Sequence, residues 1–168
     1  MKSARAGIIA AFVAGAIALA AWLVPVRSET APDVSFGTLQ GETLTTASLR
    51  GKVVLVNFWS TSCATCIKEM PQLAETHRKY HARGFETVAV AMSYDPPSHV
   101  LHYAERSALP FKVALDLRGE VARRFGDVRE TPTTFVLDRR GNIVKRYRGE
   151  PDFAELHGLL ERALAEAG

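Results

Sequence analysis

Cysteine is scarce: Cys63 and Cys66 are the only two in the 168-residue chain. A zinc site needs about four ligands, and no further cysteine exists to complete one. An excess of positive charge is missing from most of the chain as well. The formal net charge is +3, but Lys2, Arg5 and Arg27 are the only charged residues among the first 27, leaving 18 Lys and Arg against 18 Asp and Glu in the remainder. A neutral body without a basic patch or aromatic–basic interleaving gives nucleic acid nothing to hold. Internal repeats and low-complexity tracts are absent too, so the length fits one domain plus an appendage.

Charge is lacking altogether from residues 6–26, AGIIAAFVAGAIALAAWLVPV. About 20 apolar residues span a bilayer as a helix. Lys2 and Arg5 ahead of the run keep the N-terminus in the cytoplasm and send the rest outside, with Trp22 near the outer interface. Ala18-Leu19-Ala20 resembles a signal-peptide cleavage site, so removal of the segment is the alternative. Hydrophobicity continuing beyond Ala20 favours an uncleaved anchor, and in either case the domain is exported. The run has no polar face, which argues against a core helix. The expected division is an anchor or signal segment at 1–27, a polar linker at 28–33 and one domain at 34–168.

Within the domain, VSFGTLQGETLTT alternates around Gly41 and reads as a β-hairpin, followed by a short helical turn closed by Gly51. VVLVNFW (53–59) is a near-continuous apolar run, as in a strand buried on both faces. Residues 64–82 read as a helix with Ile67, Met70, Leu73, Ala74 and His77 on one face and a kink expected at Pro71. The order then runs strand (FETVAVAMS), helix (VLHYAERSA), strand (FKVALD), short helix (GEVARRF), two strands (TTFVLD and NIVKRYR) joined by a turn at Arg139-Arg140-Gly141, and a closing amphipathic helix. Strands alternating with helices and ending in a hairpin give α/β class with a mixed central sheet.

The chemistry concentrates in VVLVNFWSTSCATCIKEMP (53–71), which passes from strand to helix through a small-residue loop. Cysteines three positions apart on a helix are neighbours, with Cβ atoms about 5–6 Å apart, close to what a disulfide requires. At the first turn, unpaired N–H groups and the helix dipole stabilise a Cys63 thiolate, while Cys66 lies one turn deeper and stays protonated longer. One attacking and one resolving thiol suit dithiol–disulfide exchange. Two buried structural cysteines are the plainer alternative.

FWSTSCATCIKEMP followed by TPTTFVLDRRGNIVKRYRG resembles the membrane-anchored, thioredoxin-like TlpA/ResA group of thiol–disulfide oxidoreductases over about residues 33–166. That resemblance implies a thioredoxin-like fold with an N-terminal β-hairpin and an extra helix between the third and fourth core strands. It implies Cys63 as nucleophile, Cys66 as resolving thiol, and Thr131-Pro132 as a cis-proline pair against the disulfide, where Thr131 and Ser62 meet a substrate segment. Glu69 would be the carboxylate that relays the Cys66 proton, with Trp59 as structural support. No cofactor beyond the redox-active disulfide is implied. Implied partners are disulfide-bearing proteins such as apocytochrome c or copper assembly factors, a transmembrane thiol donor of the CcdA/DsbD type, and the inner membrane, with the catalytic domain facing the periplasm.

Three positions depart from that pattern. Asn57 stands where thioredoxin has a buried aspartate, shifting acid–base duty toward Glu69. Ser62 replaces an aromatic, making the docking surface flatter and more polar. Thr65 replaces a proline, returning an N–H near the Cys63 sulfur and implying a more oxidising couple, so an oxidase or isomerase is the alternative role. A Cu(I) chaperone would require histidines beside the cysteines. His77 with His81 and His99 with His102 are spaced as pairs but read as solvated faces. The proline and T-x-x-C arrangement of peroxiredoxins is not reproduced around Thr61 and Cys63.

Overall fold

Seven consecutive apolar or amide side chains, Val53–Trp59, can be accommodated only in a strand covered on both faces, and this strand is the centre of the molecule. In the computed structural model, which describes residues 29–166, all seven are buried. The anchor or signal segment assigned to 1–27 lies outside the described residues, and among the described residues no helix is long and apolar enough to cross a membrane.

The strands are β1 (Glu29–Thr30), β2 (Ser35–Gly37), β3 (Thr43–Thr45), β4 (Val53–Trp59), β5 (Phe85–Ala91), β6 (Lys112–Leu115), β7 (Thr133–Leu137) and β8 (Asn142–Arg148). The α-helices are α1 (Ala64–Tyr80), α2 (Pro97–Arg106), α3 (Glu120–Arg124) and α4 (Phe153–Ala165). Six strands form one mixed sheet in the order β1-β8-β7-β4-β5-β6. β4, β5 and β6 are parallel, whereas β7 is antiparallel to both β4 and β8. β2 and β3 make the expected separate hairpin, with Gly41 at φ 79°, a conformation that favours glycine. The hairpin covers the β6 edge through a bridge between Thr38 and Ala114 and a bond from Leu39 N–H to the Val113 carbonyl.

Strand alternation divides the interior into two cores. Val53, Leu55 and Trp59 face α1 and α4, where they meet Met70, Leu73, Leu156 and Leu160. Val54, Val56 and Phe58 face the other way, onto Phe36, Leu49, Val121 and Phe125. Asn57 shares the parity of the first set, so its amide points from the sheet toward α1. α1 buries the expected Met70, Leu73, Ala74 and His77, and adds Thr76 and Tyr80; Ile67 is partly exposed. Pro71 lies on the exposed side, and the helix continues past it as one element.

Within the stretch expected to be a linker, Glu29 and Thr30 pair with Ile143 and Asn142 as β1, and Ala31 is buried. Two polar residues carry no alternation signal, which is why the strand was not readable. One expectation is corrected: His77 does not belong to a solvated face; it is 4% exposed, between α1 and β5, whereas His81, His99 and His102 are exposed.

Candidate active site

The site is assembled by register. Phe58 near the end of β4 pairs with Thr133 at the start of β7, which brings the loop before β7 beside the loop after β4. The Thr131–Pro132 peptide bond is cis, and the Thr131 carbonyl oxygen lies 3.5 Å from Cys63 Sγ. Thr131, Pro132 and Cys63, separated by 68 residues in sequence, thus share the carboxyl end of the central parallel strand, where open α/β sheets place their ligands.

Cys63 and Cys66 form a disulfide with Cα atoms 5.2 Å apart. Cys63 is the N-cap of α1 and partly exposed; Cys66, in the first turn, is fully buried. The expected asymmetry between an accessible and a shielded sulfur is therefore present. One detail differs from the reading of Thr65. The N–H that reaches Cys63 Sγ, at 3.1 Å, belongs to Cys66. An N-cap atom accepts from the second or third helical residue, and here the third is selected. Thr65 instead contributes a first-turn N–H that a proline at that position would lack. Thr65→Pro removes that donor and is expected to lower the midpoint potential by about 20 mV, equivalent to about 1 kcal/mol of thiolate stabilisation. A redox titration against glutathione checks this, and an equal or higher potential in the variant contradicts it.

Three residues along α1, Glu69 is fully buried. Its Oε1 accepts a 2.9 Å bond from Asn57 Nδ2, which also donates to Thr134 Oγ1 at 2.9 Å. Oε2 has no hydrogen-bond partner among the described residues. Burial raises the Glu69 pKa to about 7, against the opposing effect of the Asn57 bond and assisted by Glu150. Neighbouring Lys68 does not compensate it, because its ammonium pairs with Glu150 at 2.8 Å. A buried acid that titrates at neutral pH, one turn from the buried cysteine on the same helix, can give and take a proton.

Trp59 is fully buried, with its ring 5.4 Å from that of Tyr103, as expected of a support. Ser62 is exposed, and its hydroxyl lies 2.8 Å from that of Ser60. Two further residues were not found from sequence. Asp95 is buried and holds the loop before Cys63 through both carboxylate oxygens, accepting from Thr61 N–H at 2.6 Å and Thr61 Oγ1 at 2.5 Å. Tyr94, 58% exposed, places its hydroxyl 3.4 Å from Thr131 Oγ1, giving the site an exposed aromatic that Ser62 does not supply. Both follow the end of β5, which neighbours β4 in the sheet. Their sequence signal was position at a parallel strand's carboxyl end, obscured by the Pro96-Pro97 break that follows.

His77 stands apart from this site. His77 lies 11 residues beyond Cys66 on α1, about 16 Å along a helix rising 1.5 Å per residue.

The redoxin family model matches residues 27–160. The chain is similar to the thiol–disulfide oxidoreductase ResA of Geobacillus thermodenitrificans, at 37% identity over 132 residues covering 79% of this chain and 75% of that one. The ResA of a Bacillus thuringiensis strain is 32% identical over the same shares. Among solved structures, a thiol:disulfide interchange protein of the thioredoxin family from Chlorobium tepidum superposes with a TM-score of 0.76 at 28% identity, over 84% of this chain and all of that one.

Proposed function

The chain belongs to the redoxin family and is a thiol–disulfide oxidoreductase with a thioredoxin-like fold and a redox-active disulfide; from that premise we propose that it reduces disulfides of exported proteins while tethered to the outer face of the bacterial inner membrane. The observation that carries the reaction is the unequal pair: a partly exposed Cys63 capping a helix, and a fully buried Cys66 with a buried acid one turn on. In the dithiol form, Cys63 thiolate attacks a substrate disulfide. A Cys63–substrate bond forms, the substrate's own S–S bond breaks, and one substrate sulfur leaves as thiolate. Cys66 then passes its proton to the Glu69 carboxylate and attacks Cys63 Sγ. The second substrate sulfur is released, and Cys63–Cys66 closes; two electrons have moved to the substrate.

The groups beside Cys63 suit an extended peptide. The Thr131 carbonyl lies beside the accessible sulfur, the exposed Ser62 precedes it in the chain, and the exposed Tyr94 reaches Thr131 through its hydroxyl, so a substrate strand can pair with backbone and rest on an aromatic. The cellular setting rests on the uncharged run 6–26 flanked by Lys2, Arg5 and Arg27. A reductase in an oxidising compartment consumes thiols and needs re-reduction, for which a transmembrane donor of the CcdA/DsbD type is the fitting partner. Substrates of the same reading are apocytochrome c and copper assembly factors; tethering raises the effective concentration toward both kinds of partner.

Cys66→Ser stops the cycle at the mixed disulfide, so the test is to capture proteins held by Cys63 in cells and to measure the redox state of the wild-type chain. Reduction predicts a chain found mainly as dithiol, with cytochrome c precursors or copper assembly factors captured. A chain found mainly as disulfide, with a broad set of envelope proteins attached, assigns it instead to disulfide formation or isomerisation.

A further inference from the structure

We propose that His77, His81 and Glu86 bind one divalent first-row transition-metal ion, at the end of α1 remote from the cysteines. The site is independent of the thiol chemistry. One ring nitrogen of each histidine and one carboxylate oxygen of Glu86 all lie within 4.8 Å of one another. His77 and His81 are four residues apart, and their rings are 4.6 Å apart, centroid to centroid. Two imidazoles and a carboxylate with one position left open form a donor set that zinc accepts.

Each of the three donors carries an outer hydrogen bond, and all three bonds run to the first residues of β5. His81 Nδ1 lies 3.1 Å from the Phe85 carbonyl oxygen, an acceptor only. Nδ1 must therefore hold the proton, and Nε2 of the neutral ring keeps its lone pair for a cation. His77 Nδ1 lies 3.2 Å from Thr87 Oγ1, and Glu86 Oε1 accepts from Thr87 N–H at 3.1 Å. Metal-binding histidines and carboxylates are held in this way, by a second partner that fixes tautomer and ring orientation.

Closing around zinc requires modest movement. With Zn–N bonds of about 2.0 Å, tetrahedral ligand atoms are about 3.3 Å apart, so the three donors contract by about 1.5 Å. His81 is exposed and can rotate. The group now beside Glu86 is Lys52, whose ammonium lies 3.2 Å from Oε2 and whose side chain is 44% exposed. A metal ion would displace that ammonium into water. By spanning α1, the turn after it and β5, the ion would join three segments and raise the melting temperature.

The test is titration of the full chain with Zn²⁺ alone, with Cys63 and Cys66 kept as the disulfide so that thiolates do not compete. One equivalent is expected to bind with a micromolar Kd and raise Tm. His81→Ala, an exposed substitution that the fold tolerates even if His77 variants do not, should weaken binding by about tenfold or more, as should Glu86→Gln. His99→Ala, on exposed α2, should leave Kd unchanged. A Kd weaker than about 1 mM for the wild-type chain, or one unaltered in His81→Ala, overturns the proposal.

Discussion

Cys63→Ser is expected to abolish catalysed reduction of a test protein such as insulin, returning the rate to that of the added reductant alone. A serine hydroxyl is not ionised at neutral pH and does not exchange with disulfides. The remaining Cys66 cannot substitute, because its sulfur lies in a fully buried residue beneath the first turn. Cys66→Ser is expected to behave differently. Its Cys63 still attacks, so one equivalent of mixed disulfide accumulates per chain in a single rapid phase, and turnover then stops. The two variants thus separate attack from resolution, which a simple loss of activity does not. More than about a tenth of wild-type turnover in Cys63→Ser, or no mixed disulfide in Cys66→Ser, contradicts the assignment of roles.

Glu69→Gln should have the second largest effect. Amide for acid keeps the shape and a bonding atom for Asn57, but it removes the proton acceptor. Loss of a positioned acid–base group costs about 10²-fold or more in the step it serves, so resolution of the mixed disulfide should slow while its formation changes little. The wild-type resolution rate should rise through an inflection near pH 7, where the buried Glu69 ionises, and the variant should lack it. Stability gives an independent reading. Between pH about 4.5 and about 7 the folded chain holds a proton on Glu69 that the unfolded chain has lost. Stability therefore falls as pH rises through that window, by about 3 kcal/mol for a shift of this size. Glu69→Gln should flatten that part of the curve. Denaturant titrations of the disulfide form at pH 4.5 and 7.5 measure this; an unchanged slope with pH contradicts the raised pKa.

The parts legible in sequence were those encoded locally. Val53–Trp59 announced a strand covered on both faces, and Cys63 followed by Cys66 announced a helix start with unequal sulfurs; both are found as read. Thr131-Pro132 and Glu69 were readable through resemblance to a family, since nothing near them in sequence specifies a cis bond or burial. What escaped depends on pairing between distant segments. Asp95 grips Thr61 from 34 positions away because β4 and β5 are parallel neighbours. β1 exists because β8 offers an edge to two otherwise uninformative residues. His77 is buried because β5 and Phe111 close over that face of α1, its ring 5.8 Å from the Phe111 ring. The Asn57 amide is a case between these. Its identity suggested that proton transfer falls to Glu69, but only strand parity and Thr134 show why it faces that acid.

The central claim is that the two sulfurs are unequal by position, with Cys63 accessible and Cys66 enclosed. It is tested most directly by treating the reduced full chain with limiting iodoacetamide at pH 7 and following each cysteine by peptide mass spectrometry. The structure predicts modification of Cys63 at least about tenfold faster than Cys66. Equal rates at the two positions, or earlier labelling of Cys66, would contradict it.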